Sequence, residues 1–138
     1  MNKKYINFLL TLLFPITLLG QLKTLDCSSI RSGIFYFYPL NSPKKFIITR
    51  EGLIQKEINI QTSDTSFWKV TWKSDCIFNL KFTRRTQPIS DQEKLFLTSH
   101  NTIIKILSVT KDYYVFKANI NLGNTISTLT DTLWIKPK

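Results

Sequence analysis

Near the middle of the chain, two stretches alternate apolar and polar residues with a period of two, and that alternation limits what the remainder can fold into. Ser66 to Lys73 sets Trp68, Val70 and Trp72 against Phe67, Lys69, Thr71 and Lys73. Cys76 to Thr83 sets Cys76, Phe78, Leu80 and Phe82 against Ile77, Asn79, Lys81 and Thr83, with Ser74-Asp75 as the expected turn between them. Strand side chains point alternately to two faces, so the pair reads as a hairpin with one aromatic face and one basic, polar face.

The same rhythm recurs on both sides. Gly33 to Tyr38 is aromatic and β-branched, and Phe46 to Thr49 and Leu53 to Ile60 flank Glu51-Gly52, a two-residue hairpin signal. Thr102 to Val109, Tyr113 to Ile120 and Thr125 to Lys136 read as three further strands, with turns at Lys111-Asp112 and Asn121 to Asn124. Arg84 to His100 breaks the pattern, and the Ser90-Asp91-Gln92-Glu93 spacing of a capping box predicts a short helical turn there. With 138 residues, 10 Phe, 5 Tyr and 3 Trp against only 4 Gly, the chain has the means to bury one core and no length for two. The expected class is all-β, a single antiparallel up-and-down barrel of about eight strands, with a β-sandwich as the alternative.

Residues 1–20 carry Lys3-Lys4 ahead of an apolar run ending near Gly20, the pattern of a secretory signal peptide. Residues 21–138 are then the barrel domain, exported to a periplasmic or extracellular space, with no membrane span in the mature chain. Removing Lys3 and Lys4 and no acid lowers the formal charge from +10 to +8. The remaining cations are dispersed over many strands. That fits a solvated outer face, or attraction to an anionic surface, and export argues against specific nucleic acid as a partner. In an oxidising compartment, Cys27 and Cys76 are expected to pair, the alternatives being a reactive thiol or two buried free thiols.

No reaction is proposed by the residues present. His100, the single histidine, lies in a polar turn context. Most acids occupy turns, no phosphate-binding glycine loop exists, and no metal ligand set or cofactor motif is evident. A non-enzymatic role is the expectation. Arg50, Gln55 and Glu57 are harder to explain as ordinary strand residues. With Glu51-Gly52 as the loop, Arg50 opposes Leu53, Ile48 opposes Gln55 and Phe46 opposes Glu57 on one face, while Ile47, Ile54, Ile58 and Ile60 share the other with Thr49 and Lys56. Either face can be the inner one. Outward, the polar trio is ordinary surface; inward, it is costly unless partners or a ligand satisfy it.

Three blocks, Cys27-Ser28-Ser29-Ile30-Arg31-Ser32-Gly33-Ile34-Phe35, Arg50 with Gln55 and Glu57, and Trp72-Lys73-Ser74-Asp75-Cys76-Ile77-Phe78-Asn79-Leu80, have the form C-x5-G-x-F, R-x4-Q-x-E and W-x-x-D-C-x-[FY]-x-L. Over residues 27–82 the chain resembles a family of small exported bacterial proteins that share these blocks. The resemblance implies a lipocalin-like or fatty-acid-binding-protein-like small barrel and no activity. Two roles follow as expectations. One is a binding module for a small apolar or amphipathic molecule, with Trp68, Trp72, Phe78 and Phe82 as candidate lining residues unless they simply fill the core. The other is a secreted interaction or inhibitor protein using its basic exterior or the Arg84–His100 segment. The oligomeric state is open.

Overall fold

The computed structural model describes residues 25–138; the expected signal peptide and its cleavage point lie outside them. The described residues form eight strands: β1 (Gly33–Phe37), β2 (Phe46–Glu51), β3 (Ile54–Asn59), β4 (Thr65–Ser74), β5 (Ile77–Arg85), β6 (Thr102–Val109), β7 (Tyr113–Asn121) and β8 (Ile126–Trp134). Each is antiparallel to the next, and β8 returns to β1 through Tyr36 opposite Trp134 and Phe37 opposite Leu133. The sheet is therefore closed, which excludes the sandwich and leaves no free edge. Among the described residues, no helix is long and apolar enough to cross a membrane, which says nothing of strands.

The up-and-down order puts the β2–β3, β4–β5 and β6–β7 turns at one end and the longer connections at the other. The turn end is plugged. A 3-10 turn, Ser28–Ile30, folds beneath the strands with Ile30 and Cys27 fully buried, and the Cys27–Cys76 disulfide ties it to the β4–β5 turn. Gly33 leaves this plug with φ +139°, a conformation a side chain would strain, and so redirects the chain into β1. With its ends 49 residues apart in sequence, the bridge removes loop entropy from the unfolded chain worth about 4 kcal/mol.

Two turns sit elsewhere than the sequence suggests. The β2–β3 loop is Gly52-Leu53, not Glu51-Gly52: Glu51 opposes Ile54, Arg50 opposes Gln55 and Ile48 opposes Glu57. Gly52 has φ +56° at the first loop position, the place where a two-residue turn with one positive φ wants its glycine. The slip is two residues on β3, an even number, so every side chain keeps its face. In the β4–β5 turn, Ser74 opposes Ile77 and a register shift follows Trp72, which places Asp75 and Cys76 in the turn itself.

The capping box forms, with Ser90 Oγ accepting from the Glu93 N–H at 3.1 Å, but it starts a nine-residue helix, α1 (Asp91–Ser99), rather than a single turn. α1 buries none of its residues and rests near the end of β5. Asp64, in the β3–β4 connection, fastens that region by accepting from Arg85 Nε, the Thr86 hydroxyl (3.0 Å) and the Gln87 N–H (3.1 Å). Burial raises its pKa, and these donors, with the Arg85 charge, outweigh that and hold the carboxyl below its ordinary value.

Candidate functional site

Arg50, Gln55 and Glu57 face the barrel interior. Arg50 and Gln55 are each 2% exposed, while Ile54 on the opposite face is 53% exposed. The side richer in isoleucine is thus the outer one. Arg50 Nε and Nη2 both donate to Gln55 Oε1, at 2.9 and 2.8 Å, and Gln55 Nε2 donates to Glu57 Oε1 at 2.9 Å. Arg50 reaches Gln55 straight across the strand pair, where the observed register sets them opposite each other. Gln55 therefore links Arg50 to Glu57, and the three form a relay, not an ion pair.

Among the described residues no carboxylate is ion-paired with Arg50. Its charge is met by the Ile30 carbonyl at 2.6 Å and the Tyr114 hydroxyl at 3.1 Å. Aromatic faces do the rest, with Phe78, Phe35 and Trp72 centroids 4.6, 5.3 and 5.9 Å from the guanidinium carbon. Such contacts to a desolvated cation are worth roughly 1–2 kcal/mol each at best, so the Arg50–Gln55 bonds remain essential to its burial. Tyr114 is a site residue that the sequence reading placed only within a strand, Tyr113 to Ile120. The signal that marks it is Tyr114 at an inward position of β7, where a buried hydroxyl needs a partner. Burial raises its pKa, opposed by Arg50.

These residues line an interior cavity of about 250 Å³. Arg50, Phe78 and Tyr114, all essentially buried, form its floor; Ile48, Leu80, Ile104, Phe116 and Leu133 are its apolar walls. Its mouth is made by the half-buried Phe37, Thr102 and Ile120 and the exposed Leu129, at the end of the barrel away from the plug. The polar relay climbs one wall from floor towards mouth and ends at Glu57. Glu57 itself is half-buried, with its side chain at the cavity wall. Desolvation raises its pKa, opposed by Gln55, the nearby Trp68 indole and the more distant Arg50 charge. Close as it is, the Trp68 Nε1–H makes no hydrogen bond of normal geometry with Glu57 or any other group.

The four aromatic candidates divide. Trp68 and Phe78 line the cavity; Trp72 and Phe82 do not. Trp72 is drawn into the plug, packed on Phe78 at 4.5 Å between centroids, with the Arg31 guanidinium carbon 4.6 Å from the centroid of its ring and Arg31 paired with Asp75 at 3.1 Å. Phe82 is buried edge-on against Trp68 and supports it from the side.

A second concavity, about 520 Å³, lies on the outer surface of β3, β4 and β5. Leu53, Ile54 and Phe67 give it an apolar base, and Lys56, Lys69 and Arg84 border it, Arg84 resting 3.6 Å above the Phe67 ring. Among the described residues none of these three cations is ion-paired, and no group of three His, Cys, Asp or Glu is placed to hold a metal. No protein-family model matches the chain, and no curated protein matches it.

Proposed function

We propose that the protein is an exported binding protein that holds one small amphipathic molecule inside its barrel. The observation that carries this is the cavity itself: mostly apolar walls, one row of buried polar groups, and a mouth that is not closed by secondary structure. A barrel needing only stability fills such a space with side chains, since a cavity costs free energy and a buried charge costs more. At about 30 Å³ per heavy atom, taken from the share of one water in the liquid, 250 Å³ seats eight or nine atoms. The ligand is a ring or a short chain. The disulfide supports export by its chemistry, because such bridges persist in oxidising compartments. Membership of the small exported family is part of the same reading. It is supported by where the three blocks meet, namely the Cys27–Cys76 bridge, the Arg50 relay and Trp72, all at the plugged end.

Native mass spectrometry of protein purified from its own host tests the proposal. A retained molecule of that size, lost from Glu57→Ala, is the expected result, and the same spectrum reads whether the first twenty or so residues are absent. A ligand-free wild-type spectrum under conditions that keep the fold intact overturns the binding reading. One observation favours a second role, the unpaired cations around an apolar groove on the outside. In that reading the groove docks an acidic partner, and reversing Lys69 and Arg84 to Glu abolishes docking while leaving the cavity's occupant in place.

A further inference from the structure

We infer, resting on the binding reading above, that the cavity selects a molecule whose polar end is a hydroxyl, held between the Trp68 indole N–H and the Glu57 carboxyl. Trp68 Nε1 is the only enclosed side-chain nitrogen or oxygen among the described residues that lacks a hydrogen-bond partner. A buried donor left unpaired is a cost that native proteins seldom tolerate without a reason. Glu57 is its complement: Oε1 accepts from Gln55, and among the described residues Oε2 takes no hydrogen bond. The register makes the two groups neighbours, because Trp68 stands directly opposite Gln55 on the adjacent strand and Glu57 is the next residue on the same face of β3. Both line the cavity.

The head group follows from donor and acceptor counting. A hydroxyl accepts from the indole N–H and donates to the carboxyl oxygen at the same time. An ammonium group donates to Glu57 but cannot accept from Trp68, and it would share the barrel with Arg50, a buried cation with no ion-paired carboxylate among the described residues. A carboxylate accepts from Trp68 but sets its oxygens against those of Glu57. A hydrocarbon leaves both protein groups unpaired. The remainder of the molecule then lies against Leu80, Ile104 and Phe116 on the apolar side.

The test titrates the oxidised full chain, by nuclear magnetic resonance, with four probes of equal chain length: 1-hexanol, hexane, hexanoate and hexylammonium. The expected result is that hexanol binds about tenfold or more tightly than each of the others and shifts the Trp68 indole N–H resonance, as a new hydrogen bond there requires. In Trp68→Phe, which keeps an aromatic ring and removes the donor, hexanol loses affinity severalfold while hexane does not, the bond to Glu57 remaining. Equal affinities for hexanol and hexane in the wild-type chain overturn the hydroxyl assignment and leave the cavity reading standing, as does a preference for either charged probe. Failure of all four to bind overturns both. The indole resonance gives the answer in the unmutated protein should Trp68→Phe fold poorly.

Discussion

Replacing Gln55 with Leu asks whether the relay holds a buried charge in place. Gln55 Oε1 takes two of Arg50's hydrogen bonds, at 2.9 and 2.8 Å, and Leu offers neither. A hydrogen bond to a charged group contributes about 1.5–3 kcal/mol, and a donor left dry costs a similar amount. The apolar burial that Leu adds offsets part of this, so the net loss comes to roughly 2–4 kcal/mol. That is a large part of the stability of a domain this size. Urea unfolding followed by tryptophan fluorescence, with the disulfide intact and the slope unchanged, reads the loss as a lower midpoint. The partner change Arg50→Met also costs stability alone, because Gln55 Oε1, the Tyr114 hydroxyl and the Ile30 carbonyl then lose the guanidinium. Made together, the two changes remove charge and partner at once, and the double variant should lose at least about 1 kcal/mol less than the sum of the singles. A Gln55→Leu cost within about 0.5 kcal/mol of zero, or strict additivity, would refute the claim that Gln55 satisfies a desolvated guanidinium.

Glu57 makes stability fall as pH rises. Its folded pKa is raised above the ordinary value of 4.5, so the unfolded chain ionises first, and the loss grows from near that pH until the folded carboxyl ionises too; Glu57→Gln should flatten this slope in urea titrations between pH 4 and 8. Asp64 acts in the opposite sense. Its folded pKa lies below 3.8, its contribution is present above that value and is lost as pH falls through the lower folded one, and Asp64→Asn should remove that acid-side step while costing about 1–3 kcal/mol at pH 7 through its three accepted bonds. Replacing both Cys27 and Cys76 with Ser should lower stability by about 4 kcal/mol; labelling of both thiols in unfolded, unreduced wild-type protein would show that the bridge is absent.

The barrel was legible because period-two alternation and turn residues recur along the whole described chain, and eight short strands with short connections have few ways to close. The inner face of β2–β3 was not, because the competing faces rank wrongly by hydrophobicity. Ile47, Ile54, Ile58 and Ile60 look like core, and Arg50, Gln55 and Glu57 look like surface. Local sequence does not decide the matter; neighbours do. Residues directly opposite in adjacent strands share a side of the sheet. β4 and β5 place Val70, Phe78, Leu80 and Phe82 inside without ambiguity, and the inward side then passes from Trp68 to Gln55, from Gln55 to Arg50, and from Arg50 to Gly33. Ile54 is turned outward by the same chain of pairings. Tyr114 and the Ile30 carbonyl were out of reach for another reason: they come from β7 and from the plug, 64 and 20 residues from Arg50, and only barrel closure brings them to it.

That inversion is also the strongest argument that the interior serves something besides stability. Exchanging the two sides of this hairpin would bury four isoleucines and wet an arginine, a glutamine and a glutamate, at the cost of exposing Ile48 and Phe46 and turning Thr49 and Lys56 inward, and the balance of transfer free energy would still favour it for a chain selected only to fold. Instead the chain keeps the polar row inside and supplies each member with a dedicated partner. Arg50 has a carbonyl from the plug, a phenol and three aromatic faces; Gln55 has both neighbours. Satisfaction is complete at the floor and fails at the other end of the row, where the Trp68 N–H and one oxygen of Glu57 meet the cavity without a partner. Local rules broken at one place, with compensation everywhere except at a cavity wall, are the pattern expected where a ligand completes the set. On the binding reading proposed above, the deep half of the relay is the support that fixes the Glu57 carboxyl through Gln55, and the shallow half is the part left for a ligand to meet.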